Sequence, residues 1–320
     1  MPMIRQPKIK EFQMPGAYAH LTLVNLIREP VRLENKGLAP EAIVPILDYF
    51  RFCELGDYPY LDMGHPEAAR WADQMHYERT GDMIKAGIGM IKKLDGVSQQ
   101  KAFSWLLGYT GHVVTDVTIH PVVELKVGTY QQNKGKHRIC EMHQDAYIFQ
   151  RLNVGEIGLG EHLDSGIWGC CDKPDSGKLD PVIVSTWQSM LETCYPDLYQ
   201  SSPPIIDNWH GSFKFIVDKA EEGGALPPFA RHVAANIGLT YPSAADIDTQ
   251  YIEGLATPHG SMSYDQIFDH AMENVLAVWS SLANAVFKND DAYQTTIANW
   301  NLDTGKDSNG GYGFWNREPS

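Results

Sequence analysis

Residues 112–141 read HVVTDVTIHPVVELKVGTYQQNKGKHRICE. His112, Asp116 and His120 stand four apart, and His137 and Glu141 repeat the interval. Four residues of α-helix carry the chain about 40° past a full turn, so each set shares one stripe of a helix. The first stripe offers imidazole, carboxylate and imidazole; the second adds one of each. Neutral nitrogen beside anionic oxygen is the donor mixture taken by zinc and other borderline divalent ions. A His and an acid four apart are common on solvated helix faces, so either pair alone would mean little. The triple is rarer, and it sits in an apolar run where an unpaired Asp116 would be costly to bury without a cation or hydrogen-bond partners. The stretch therefore predicts two helices that carry a metal site with more than one ion.

Outward from this stretch the pattern stays helical. Upstream, Ser98 is placed to cap a long helix, QQKAFSWLLGYTGHVVTDVTIH, whose apolar residues include Phe103, Leu106, Leu107, Val113 and Val114. Gly108 and Gly111 in it would allow a neighbour to pack closely. NKGK at 133–136 leads into a further helix, HRICEMHQDAYIFQRL. Residues 40–54 and 66–94 have helical spacing, the latter in two pieces around Thr80-Gly81, with the turn-forming GDYPYLDMGHP between them. Helices resume at PVIVSTWQSMLETCY, DNWHGSFKFIVDKAEE and SYDQIFDHAMENVLAVWSSLANAVFK. The arm to about residue 19 reads as irregular, and residues 153–180 as a Gly- and Asp-rich excursion. The Gly-, Asn- and Asp-rich tail from Asp303 closes on Tyr312, Phe314 and Trp315. With no internal repeat and little period-two alternation, the expectation is an all-α, single multi-helix domain over 1–320 with long loops. Residues 17–150 would form its metal-binding core and 151–320 would complete it.

The chain of 320 residues is 43% hydrophobic and 21% charged, ordinary values for a globular protein. Its 26 Lys and Arg against 40 Asp and Glu leave a formal charge of −14. That field repels a polyanion, which disfavours nucleic acid as a partner, and bound dications would offset part of it. No apolar run reaches the ~20 residues of a transmembrane segment. The start, MPMIRQPKIKEFQMPGAYAH, lacks the apolar core of a secretory signal, and five cysteines show no framework spacing. The expectation is a cytoplasmic chain, or one exported without a cleavable signal peptide. The Gly-rich segments match neither a dinucleotide fingerprint nor a P-loop, and no Gly-x-Ser-x-Gly elbow is present.

Two upstream segments extend the ligand pattern: GDYPYLDMGHP offers Asp57 in a turn, and ADQMHYERTGD offers His76 in a helix. The order His20, Asp57, His76, His112-x3-Asp116-x3-His120-Pro121, His137-x3-Glu141 resembles the zinc-dependent phospholipase C family. The resemblance covers roughly residues 17–150, with a weaker echo in SYDQIFDHAMENV, and is specific as a set. It implies an all-helical fold, similar to that of the zinc-dependent single-strand nucleases, and two or three Zn2+ ions. It implies that Asp57, His76, His112 and Asp116 surround one zinc and that His120, His137 and Glu141 hold a second. Asp116 would also bridge toward a third ion, to which His20 contributes. In secreted members the free amino terminus helps to hold that third ion. Here nineteen residues precede His20, so processing or another group such as His65 would have to complete it. The gap from Asp116 to His120 is shorter than in the small secreted enzymes, yet positions i, i+4 and i+8 still share a face.

The chemistry implied is attack by a zinc-activated water on a phosphodiester, with Asp57 holding that water as a ligand or taking its proton as the catalytic base. The expected partner is a small-molecule or lipid phosphate ester, a choline-like head group suiting an acidic, aromatic surface, with transient contact to a membrane surface. A nuclease or phosphatase-like hydrolase, another metal-assisted biosynthetic enzyme, and a helical protein that keeps zinc for structure alone stay open as alternatives. Among weaker candidates, His143 and Asp145 lie six and eight residues after His137; His143 falls off the His137–Glu141 face and reads as a supporting or surface group. Cys140 reads as packed, the vicinal Cys170-Cys171 as incidental, and Tyr58, Tyr60, Trp71, Trp105 and Tyr109 as core. His162, His210, His232, His259 and His270 have no partner spacing.

Overall fold

Proline marks where many of the helices begin, because a first-turn residue has no helical acceptor for the N–H that proline lacks. The computed structural model describes residues 17–57, 66–153, 168–211 and 241–315. Helix α1 spans Ala17–Ile27, followed by α2 (Pro30–Asn35), α3 (Pro40–Asp48), α4 (Phe50–Gly56), α5 (Pro66–Tyr77) and α6 (Thr80–Ile91). The long α7 (Gly96–Val127) leads to α8 (Tyr130–Phe149), then α9 (Pro181–Cys194) and α10 (Pro196–Ser201). A helical stretch at 206–211 precedes α11 (Tyr264–Lys288) and α12 (Tyr293–Thr296). The only strands among the described residues form two antiparallel pairs, β1 (Leu255–Thr257) with β2 (Gly260–Met262) and β3 (Trp300–Asn301) with β4 (Lys306–Asp307). The fold is all-α. No helix among the described residues is long and apolar enough to cross a membrane.

Helix α7 is the axis of the fold. Every residue from Ala102 to Val123 is buried, so this helix has no solvent stripe. Helices α3, α4, α6, α8, α9 and α11 pack around it. The tightest crossing is with α4: a Cβ on Gly108 would lie 1.9 Å from the Cys53 carbonyl oxygen, and one on Gly56 would lie 2.1 Å from that of Trp105. Backbone therefore meets backbone there, which brings Asp57, just past α4, close to the ligand stripe. On the opposite side Trp279 of α11 donates its Nε1–H to the Leu107 carbonyl at 2.8 Å. Trp71, Trp105 and Tyr109 are buried core, as the sequence suggests.

Several boundaries differ from the sequence reading, each for a physical reason. Helix α7 starts at Gly96, with extended Asp95 rather than Ser98 before its first turn. It also runs through Pro121 to Val127, because packing on every side holds the helix together across the lost N–H. Helix α8 starts at Tyr130, and the NKGK turn is absorbed as a kink at Asn133 (φ −130, ψ 31). The run 40–54 divides at Tyr49 into α3 and α4. Helix α1 begins at Ala17, inside the arm read as irregular, because the Asp145 carboxylate accepts its first N–H groups, from Tyr18 at 3.2 Å and Ala19 at 2.9 Å. Ser263 caps α11 in a capping box with Gln266. Of the helix expected at 207–222, only the part to 211 lies within the described residues.

The α4–α7 crossing yields a paired prediction. Gly108→Ala forces a methyl into the Cys53 carbonyl and should cost about 1–3 kcal/mol or more. Gly89→Ala, in α6 with open space where the methyl would go, should be neutral or stabilising by about 0.5–1 kcal/mol. Urea denaturation of the two variants measures both, and equal midpoints would contradict the crossing.

Candidate metal centre

Helix α7 presents His112, Asp116 and His120 as successive steps of one buried stripe. Helix α1 brings His20 against it, and α8 brings His137 and Glu141. Asp116 is the hub. Its Oδ1 lies 3.1 Å from His20 Nε2 and 3.3 Å from His120 Nε2, and its Oδ2 lies 3.3 Å from His112 Nε2. Glu141 Oε1 is the second meeting point, 3.1 Å from His120 Nε2 and 3.0 Å from His137 Nε2. Two trios result, His20–His112–Asp116 and His120–His137–Glu141, each with its ligand-type atoms all within 4.8 Å of one another.

The remaining candidates flank the first trio. Asp57 Oδ1 lies 3.5 Å from His20 Nδ1. The half-buried His76 sets its ring at right angles to that of His112, with centroids 6.1 Å apart, while His20 and His112 stack at 4.6 Å. The resemblance groups Asp57 and His76 with His112 and Asp116 and leaves His20 to a separate ion. In the structure His20 stands close to His112 and Asp116, with Asp57 buried beside His20 and His76 beside His112. His65 lies outside the described residues, as do Tyr58, Tyr60, His162 and His232.

Ring directions follow from main-chain acceptors. A carbonyl can only accept, so His120 Nδ1–H donates to Leu302 O at 2.9 Å and His76 Nδ1–H donates to Ala72 O at 2.9 Å. The Nε2 atom of His120 is left facing the two carboxylates, the arrangement by which an imidazole is oriented toward a metal.

The buried charges fit a divalent ion. Asp57 is 1% exposed and neither of its oxygens accepts a hydrogen bond of ordinary length. Burial therefore pushes its pKa up, partly countered by His20. A buried carboxylate in that state calls for a cation. Burial works to lower His120, but Asp116 and Glu141 outweigh it and hold the ring up to about 9. His20 is likewise held well above its ordinary value against burial, chiefly by Asp116. Burial and the neighbouring imidazoles take His112 down to about 3 in spite of Asp116. Burial would raise Glu141 and Asp116, yet the imidazoles bring Glu141 to about 2 and Asp116 below the usual carboxylate range. Carboxylates that favour positive charge on the rings facing them would equally favour a divalent ion held between them.

Two supports of this centre are given no such role by the local reading, which names Asp145 only as a weaker candidate. Asp145 is buried in α8 and ties down the start of α1, and with it His20; Tyr241 OH also donates to it at 3.2 Å. Burial pushes its pKa up to about 7 against those backbone donors. The spacing His137, Glu141, Asp145 repeats the interval of the α7 triple, a signal that could have placed Asp145 on the same stripe. The other support is Leu302, whose contribution is a main-chain carbonyl. His143 is buried, stacks on Tyr251 and accepts from the Asp248 N–H at 3.1 Å, so it is a packing group and not a surface one. Cys171 Sγ lies 3.5 Å from His210 Nε2, and no two of the five cysteines are joined in a disulfide. His259 and His270 bond the carbonyls of Trp315 and Phe314.

A family model described as zinc dependent phospholipase C matches residues 19–197, more than half of the chain. The chain belongs to the zinc-dependent phospholipase C family. No curated protein and no solved structure matches it. Membership makes it, at family level, a zinc-dependent phospholipase C-type hydrolase, and the matched segment takes in every candidate ligand from His20 to Glu141. It ends well short of α11 and of the segment that holds His120.

Asp145→Ala should cost about 1–2 kcal/mol as a lost helix cap. It should also loosen metal held at the His20 trio more than metal held at the His137 trio. Metal analysis after graded dialysis against a chelator, beside a denaturation curve, checks both parts.

Proposed function

We propose that this chain hydrolyses a phosphodiester of a phospholipid, with His20, His112 and Asp116 holding one zinc ion and His120, His137 and Glu141 holding a second. The observation that carries the reading is the position of Asp116, one carboxylate facing three imidazoles from two helices and so joining both trios. Zinc bound there supplies positive charge for the phosphoryl oxygens and lowers the pKa of a water toward ~7. His76 and Asp57 serve beside the first trio, Asp57 buried against His20. Asp57 is suited to general-base work because burial raises its pKa above the ordinary carboxylate value, partly countered by His20, and neither oxygen is taken up by a hydrogen bond of ordinary length. It takes the proton of the attacking water as the water oxygen bonds to phosphorus and the bond to the alcohol breaks. Leu302 and Ala72 keep the His120 and His76 rings turned, through their carbonyls.

The surroundings of the His120 trio support a lipid head group over a nucleic acid. Tyr130 meets His137 edge-on at 5.1 Å, and Tyr77 OH donates to Asp303 at 2.9 Å. Burial, and after it nearby carboxylates that include Asp303 and Asp73, push both phenols up. Lys134 already lies over the Tyr130 ring at 5.4 Å, so it is Tyr77 with Asp73 and Asp303 that would favour a cationic group and repel a polyanion. The chain's net charge of −14 acts in the same direction.

Turnover of phosphatidylcholine, single-stranded DNA and a chromogenic phosphodiester by the zinc-loaded chain separates these readings. The lipid should be the preferred substrate; faster cleavage of DNA would favour the nuclease alternative. Chelation should abolish turnover and added zinc should restore it. Asp116→Ala should lower the rate by at least about a hundredfold. Full activity in a zinc-free preparation of that variant would sink the proposal.

A further inference from the structure

Leu302 lies outside the segment matched to the family, yet its main chain touches two ligand-bearing helices. Its carbonyl accepts Nδ1–H of His120 on α7 at 2.9 Å, and its N–H donates to the main-chain carbonyl of His76 on α5 at 3.0 Å. Asp303, next in sequence, accepts from Tyr77 OH beside His76. One dipeptide thus spans the gap between α5 and α7.

The segment that carries it, residues 297–315, is fastened on both sides of that dipeptide. Thr80 Oγ1 donates to Trp300 O and accepts from Trp300 N–H, both at 2.8 Å. Trp315 is buried and donates its Nε1–H to Thr118 O at 2.9 Å, and His270 bonds Phe314 O at 2.9 Å. Between these anchors the β3–β4 turn rests on α7 where Pro121 provides no N–H for the carbonyl of Val117. Gly305, at φ +66, sits against that carbonyl; a Cβ there would lie 2.4 Å from Val117 O and 2.5 Å from Pro121. Val117, Thr118 and Pro121 alternate along α7 with Asp116 and His120. The segment is docked on the turn of helix that carries the ligands.

We infer that residues 297–315 form a clamp integral to the metal centre, which fixes the tautomer and ring direction of His120 through Leu302 and ties the His76 end of α5 to it. Leu302 is a positioning residue, since it touches no reacting atom. An imidazole released from its acceptor can rotate or exchange its protonated nitrogen, and loss of such an outer contact typically weakens metal binding about 10–100-fold. The inference rests on the reading of this centre as a zinc site. It adds that retention of the ion at His120, His137 and Glu141 depends on a segment beyond the matched family core.

The test uses the full chain loaded with zinc, and in parallel with cobalt, whose visible spectrum reports ligand geometry. Gly305→Val pushes the clamp off the Val117 carbonyl. Trp315→Phe keeps an aromatic ring but loses the indole N–H and part of the buried volume, a loss that the Leu33→Ala control matches, so it carries the test if Gly305→Val does not fold. Leu33→Ala, a core truncation in α2, is the control for general destabilisation. Both clamp variants should release one ion to a colorimetric chelator several-fold to a hundredfold faster than the wild-type chain, and should shift the cobalt bands. Leu33→Ala should keep the wild-type spectrum and release rate at an equal loss in melting temperature. Wild-type release and spectrum in the clamp variants, or equal loosening in Leu33→Ala, would overturn the clamp and leave the zinc reading intact. A wild-type chain that binds no zinc would overturn both.

Discussion

The buried carboxylate of Asp116, faced by imidazoles from His20, His112 and His120, is the constraint that orders the rest of the molecule. A charge so far from water is tolerable only when opposite charge is brought to it with good geometry. Helix α1 must therefore be held against α7, α8 must run alongside, and the rings must be kept from turning away. Asp145 does the first by capping α1, and the carbonyl of Leu302 contributes to the last. The buried, nearly seamless surface of α7 gives these elements a fixed reference.

The supports differ in kind from the ligands they serve. The ligands are side chains at a four-residue interval, so their convergence is written in local geometry. The supports act across the chain through hydrogen bonds to main-chain groups. Asp145 reaches back 127 residues to Tyr18, and Leu302 is 182 residues from His120. Such contacts fix direction more than they add attraction, and direction is what a metal site requires of an imidazole.

This division explains what could be read from residues alone. The triple on α7 and the pair on α8 announce themselves because helical periodicity converts spacing directly into a shared face. The all-helical character and most helices follow from the same periodicity and from proline at first turns. The start of α1 is hidden because its cap lies on another helix. The sequence reading ends the long helix at His120, yet packing on every side carries α7 through Pro121. The closeness of His20 to His112 and Asp116 could not be read either, because α1 is pinned by Asp145, 126 residues from Ala19. Leu302 offers no clue at all, since any residue would present the same carbonyl.

The long reach of Leu302 also bears on how the molecule comes together. Closing a loop of 182 residues costs chain entropy that grows slowly with length, and contacts so distant in sequence slow folding. During synthesis from the amino terminus, the histidines and carboxylates of α7 and α8 leave the ribosome well before the segment that steadies them. The centre is therefore assembled early in outline and made rigid late, and a metal ion that arrives in the interval meets the right donors in a loosely held arrangement.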